Sequence, residues 1–247
     1  MREQKWLMLS DGTKLIRKSG DQSSVPFYGC DDPPEWMTLS TDKNNFADSY
    51  NGTDYFADLH AASEVKFKAH WSFRKSMLPD PELVITLSKA IIEILALNKV
   101  SKLIVDHVGQ KLADRAADDL AKFYDLVKIA CLNLAKHAIP KNRPITYVLD
   151  VPGVPEVQFV ATTSDPVPFL DAIYVPRLHE CMSRASELAR WLGAVKVQFL
   201  LSSDGKWDLN YLLTKDGAVV GTPASFERQV RKLEMLTRPL DYGQVSE

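Results

Sequence analysis

At 247 residues, 45% hydrophobic and 25% charged, the chain is long enough to bury a core without disulfides and too apolar to be disordered. A net charge of −2 excludes a global basic field that would gather nucleic acid or anionic membrane. Three cysteines (Cys30, Cys131 and Cys181) without CxxC spacing exclude a disulfide framework and a zinc pattern, and point to reduced thiols in a cytoplasmic protein.

The opening stretch MREQKWLMLSDGTKLIRK has no apolar run of signal-peptide length. Leu83 to Leu97 is too short to span a bilayer and is interrupted by Thr86, Ser88, Lys89 and Glu93, so no membrane contact is expected.

In chain order, Trp6 to Leu9 and Thr13 to Arg17 flank Ser10-Asp11-Gly12 and predict a hairpin. Residues 19–60 lose periodicity and carry Pro26, Pro33 and Pro34, which predicts a long irregular connection. From Glu64 to Phe73 apolar and polar residues alternate as in a strand. Asp80 and Pro81 read as the N-cap and first residue of a helix, with Leu83, Leu87, Ala90, Ile91, Ile94 and Leu95 on one face as far as Asn98. Lys102 to Asp106 fits a short buried strand or a resumed helix, and periodicity does not separate the two.

A long helix follows from Gln110 to His137, about 40 Å at 1.5 Å per residue. Ile145 to Val151 and Val157 to Thr162 read as strands around Pro152-Gly153, and Pro166, Pro168 and Pro176 as another irregular stretch. A helix from Arg177 to Leu192 ends at Gly193. A three-residue loop, Ser203-Asp204-Gly205, pairs Leu201 with Trp207, Phe199 with Leu209 and Val197 with Tyr211. The same turn at Lys215-Asp216-Gly217 sets Val219 beside Leu213, and a helix from Ala224 to Thr237 follows.

The expected fold is therefore α+β (mixed α/β): central helices, a C-terminal three-stranded antiparallel meander and a terminal helix. Ser76 to Pro81 is the one boundary, separating a β-rich, irregular part (1–78) from an α/β main domain (79–247); a single compact domain is the alternative.

Chemistry-bearing residues fall into five groups. Asp106 and His107 would stand at the end of a buried strand, where open α/β sheets place catalytic groups, or would simply cap a helix. Asp150 and Asp165 follow strand-like runs and could join them around a cation, although Asp is also the ordinary turn residue. His179 and Cys181 lie about 200° apart on a helix, so the histidine does not activate the thiol.

Lys66, Lys68, His70, Arg74 and Lys75 interleave with Phe67, Trp71 and Phe73, the composition of a strand that stacks bases and tracks phosphates. Alternation puts the rings and most of the charges on opposite faces, which also describes a core-facing strand with a solvated basic side. Residues 31–58 hold seven acids and one base around Trp36, Phe46, Tyr50, Tyr55 and Phe56. Rings amid carboxylates suit docking of a basic partner, or an acidic loop whose rings enter the core.

The run of helix, Leu192-Gly193, strand, Asp-Gly hairpin and strand resembles in outline the closing segment of ATP-grasp ligases. That family holds magnesium with Glu-x-Asn, where Tyr211 and Leu213 stand here, so the resemblance transfers neither activity nor residues. The hairpin VKVQFLLSSDGKWDLNY also resembles an element of bacterial immunity and antitoxin proteins.

With no cofactor motif and no catalytic signature, the leading expectation is a non-enzymatic, intracellular binding or regulatory protein. It would dock a protein partner, the acids favouring a basic one, through Trp36, Phe46, Tyr50, Tyr55 and Phe56. The alternatives are a hydrolase or nucleic-acid-processing enzyme using Asp106, His107 and Asp150, and a nucleoprotein subunit contacting nucleic acid through Lys66, Lys68, Arg74 and Lys75.

Overall fold

The computed structural model describes residues 6–9, 11–18, 37–47, 50, 52–72, 81–88, 91–92, 107–141 and 143–237. Three Asp-Gly turns in it close the same way. Leu9, Ser202 and Thr214 each donate a backbone N–H to the carbonyl four residues on, and each accepts from the glycine three residues on. Gly12, Gly205 and Gly217 stand at φ of 81°, 75° and 77°, the left-handed region that glycine occupies without steric penalty. This is a type I turn closed by a glycine bulge, and it sets the register of each hairpin.

The strands are β1 (Trp6–Met8), β2 (Lys14–Lys18), β3 (Met37–Asp42), β4 (Lys68–Ser72), β5 (Glu82–Leu87), β6 (Ile145–Val151), β7 (Glu156–Thr163), β8 (Ala194–Leu201), β9 (Trp207–Thr214) and β10 (Val219–Gly221). They form one mixed ten-stranded sheet in the order β1-β2-β10-β9-β8-β7-β6-β5-β3-β4. The described helices are α1 (Gly52–Ala62), α2 (His107–His137), α3 (Val167–Ala172), α4 (Val175–Leu192) and α5 (Pro223–Thr237).

The sheet corrects the expected layout of central helices with a three-stranded meander: the meander β8-β9-β10 is present, but as part of a much wider sheet. Strands from both sides of residue 78 share it, since β2 pairs with β10 and β3 with β5. The expected helix from Pro81 begins instead as β5, all six residues of which are buried. A strand covered on both faces reads as a continuous apolar run, which periodicity cannot tell from a buried helix. Within the expected irregular stretch 19–60 lie β3, a 3-10 turn at Lys43–Asn45 and most of α1, while α3 occupies the proline-marked stretch after Thr163. Β4 is shorter than the alternation of 64–73 implied, and Lys102 to Asp106 lies outside the described residues.

Leu39, Ile85, Leu149, Phe159, Phe199 and Leu209 are register partners across six strands, and all point to the same buried face. Helices α1 to α4 cover this face: Phe123, Val127 and Leu134 of α2, and Leu178, Ala185 and Leu188 of α4, join the same core. Trp207 donates from its indole to the Ala172 carbonyl at 2.9 Å, and Tyr124 donates from its hydroxyl to the Ile173 carbonyl at 2.8 Å. Β5 and β7 run in opposite directions, yet each leads through helices on this face to the next strand in the same sense along the sheet. The two crossovers are therefore of opposite hand, and one is of the uncommon kind. On the second face α5 packs over β2, β9 and β10, with Phe226 edge-on to Tyr211 at 5.5 Å.

A β-bulge in the β8–β9 pair corrects one further expectation. Leu201 faces Trp207 and Phe199 faces Leu209 as the turn requires, but Gln198 faces Tyr211 and Val197 faces Leu212. The extra residue puts both Asn210 and Tyr211 toward the second face.

Gly205→Val tests the hairpin closure. The branched side chain resists the left-handed region, so the urea midpoint should fall by the equivalent of about 1–2 kcal/mol. An unchanged midpoint would mean that the turn does not hold this conformation.

Candidate functional site

The residues singled out from the sequence do not converge on one site. Asp106, Trp36, Arg74, Lys75 and Cys30 lie outside the described residues, and His107 is described only as the first residue of α2. Phe46, Tyr55 and Phe56 are buried in the core, with the Tyr55 hydroxyl donating to the Ala130 carbonyl at 3.0 Å. Tyr50 stacks on His137 at 3.7 Å and donates to Asp58 at 2.7 Å. These four rings are engaged by the chain itself. Lys66 is exposed, and Lys68 and His70 stand exposed on β4, where His70 Nδ1 lies 3.1 Å from Ser40 Oγ.

Asp165 accepts the Val167 N–H at 3.0 Å, just ahead of α3. Cys181 is buried, and burial pushes its thiol up to about 12; burial raises Cys131 further still. His179 lines a small apolar cavity of about 110 Å3 with Ile92, Val151, Phe159, Val175, Leu178 and Met182. Among the described residues no three His, Cys, Asp or Glu side chains group as a metal ion would require.

Asp150 is the exception, because the sheet builds a polar row around it. Thr38, Thr86, Asp150, Gln158 and Gln198 are register partners on the second face, and the bulge adds Asn210. All six are buried. Arg228 of α5 donates to Asn210 Oδ1 at 3.0 Å, and Asn210 donates to Gln198 Oε1 at 2.9 Å. Gln198 donates to Gln158 Oε1 at 3.4 Å, and Gln158 donates to Asp150 Oδ1 at 3.4 Å. The chain of donors runs one way, from a guanidinium to a carboxyl group, so each bond polarises the next.

Gln158 also donates to Glu156 Oε1 at 3.3 Å, which receives Lys196 Nζ at 2.6 Å. Burial first, then the neighbouring Glu156 charge, raise the Asp150 carboxyl to about 7, against the Gln158 hydrogen bond and Lys196. This row can hold or exchange one proton near neutral pH. Beside it Val84, Val148, Val160 and Leu200 form an aliphatic row on the same face.

A second feature is open to solvent. Met8, Leu9 and Asp11 of the β1–β2 hairpin face Arg184, Glu187, Leu188 and Trp191 of α4 across a groove of about 310 Å3. The spacing i, i+3, i+4, i+7 puts the four α4 residues on one side of the helix. Met8 is 57% and Trp191 56% exposed. Arg184 bridges Asp11, whose carboxyl the Thr13 hydrogen bonds, and then Arg184, hold below its ordinary value. Glu187 makes no side-chain hydrogen bond or ion pair among the described residues, and it stands one turn from Trp191.

Sequence reading missed this groove. Trp191 follows Leu178, Cys181, Ala185 and Leu188 at core spacing, so it reads as one more buried residue. No helix among the described residues is long and apolar enough to cross a membrane. Compared with known proteins, the chain matches no family model, no curated protein and no solved structure, so its own side chains are what its function is read from.

Proposed function

We propose that the chain is a non-enzymatic binding protein that docks a basic protein partner through the groove between the β1–β2 hairpin and α4. The observation that carries this reading is an exposed tryptophan and an exposed methionine lining one groove with a carboxylate that has no partner among the described residues, in Trp191, Met8 and Glu187. Trp, Met and Arg are the residues enriched in interface cores, and a tryptophan supplies a large anchor with few rotors to order. Glu187 supplies the sign of the partner: a cation seated there meets a carboxylate and the face of an indole together. Phe46, Tyr55 and Phe56 are packed in the core, so these three rings do not anchor the proposed surface.

The test is site-specific photo-crosslinking in the native host, from a benzoylphenylalanine placed at Trp191 and, as control, at the exposed Leu132 of α2. A discrete protein adduct is expected from position 191 alone, and it should be lost when Glu187 is also replaced by Lys. With that partner purified, Trp191→Ala should raise the dissociation rate about tenfold or more. Glu187→Lys should chiefly slow association. Identical adducts from both positions, or none, would refute the reading.

A further inference from the structure

We infer that the groove takes an extended, basic segment of the partner that adds a strand to the outer edge of β1, the edge with no partner among the described residues. This rests on the docking reading above and names its mode. Β1 is the outermost described strand of the sheet, paired on one side with β2. Its register sets Leu7 opposite Leu15 and Met8 opposite Lys14. Leu9 donates its N–H to the Thr13 carbonyl, so Leu9/Thr13 and Leu7/Leu15 are the hydrogen-bonded pairs of the ladder.

Met8 and Lys14 form the intervening non-bonded pair, which turns the Met8 N–H and carbonyl away from β2 toward the open edge. With no strand beyond it among the described residues, that donor and acceptor form a template for another strand. Of the described sheet residues, only those of the β1–β2 hairpin, Met8, Leu9 and Asp11, line the groove. Its α4 wall runs from Arg184 to Trp191, seven residues and about 10.5 Å, which matches about three residues of extended chain and the three residues of β1.

An occupant in strand conformation alternates its side chains. The set on the α4 side would meet Leu9 and Leu188, and a cation there would reach Glu187 and Trp191. Arg184 and Asp11 neutralise each other, so among the groove's charged residues Glu187, without a partner among the described residues, selects a basic segment.

The probe is a fluorescent nine-residue synthetic peptide alternating Lys or Arg with Val or Ile, added to the full chain. Two controls accompany it: the same peptide with alternate backbone nitrogens methylated, and one with every base replaced by Glu. The parent peptide should bind, with affinity that falls as salt is added. Methylation should weaken it at least tenfold, the acidic peptide should not bind, and E187Q should weaken the parent severalfold. Amide exchange at Met8 should slow at least tenfold on binding, while Leu7, already bonded to β2, should change little.

Equal binding of parent and methylated peptides, with Met8 unprotected, would overturn strand addition and leave the docking reading standing. Failure of every peptide would also overturn it, and the crosslink at position 191 would then decide the docking reading separately. Self-association of the free chain that the parent peptide competes away would assign the edge to a second copy, and would overturn it too.

Discussion

At pH 8, replacing Asp150 with Asn should stabilise the fold by on the order of 2–4 kcal/mol, and near pH 4 by almost nothing. The reason is the sign of the carboxyl's displacement. Asp150 is 4% exposed, and burial, then the Glu156 charge, lift it from 3.8 to about 7. Between those two values the folded protein keeps a proton that the unfolded chain has released. Stability must therefore decline as pH rises from about 4 to about 7, and it levels off above that. Asparagine is neutral throughout and can still accept from Gln158 through its side-chain oxygen, so the variant loses the penalty and keeps the hydrogen bond. Urea denaturation of both proteins from pH 4.5 to 8 measures the effect. The difference should widen with pH across the window and then stay flat; a constant difference would mean that Asp150 does not carry this proton.

Replacing Phe159 with Ala should destabilise the protein by about 3–5 kcal/mol. Phe159 is fully buried at the centre of the sheet, stacked on Phe199 at 5.6 Å and edge-on to Trp207 at 5.1 Å. Trp207 is held from its other end by the Ala172 carbonyl, so it cannot turn to fill the space without losing a buried hydrogen bond. The cavity would remain, and its lining would lose its dispersion contacts. Val160, the next residue, points to the second face among three other aliphatic side chains. Val160→Ala removes less and should cost about 1–2 kcal/mol by the same measurement. Equal losses at the two positions would contradict the ring packing that Phe159 alone supplies.

What the amino-acid sequence determined by itself was local. Asp-Gly selects a three-residue turn with glycine left-handed, and the turn fixes hairpin register, so Leu201 opposite Trp207 and Leu213 opposite Val219 could be read directly. The amphipathic periodicity of α2 and the Gly193 cap of α4 announced those helices for the same reason.

Only the tertiary structure decided which segments meet. Β5 is buried on both faces, so its apolar run carries no period to mark it as a strand. The bulge that carries Asn210 into the polar row is an insertion relative to a partner strand and exists only once β8 lies beside β9. The fates of the aromatic rings depended on the same long-range pairing. Phe46, Tyr55 and Phe56, set among carboxylates, were drawn into the core because α1 packs on α2. Trp191, at core spacing on its helix, stayed in water because it stands at the groove beside the hairpin, while Leu188 and Leu192 on either side of it pack on the core. Burial is a property of the neighbours a side chain acquires, and those neighbours can lie far along the chain, as Ala130 does from Tyr55.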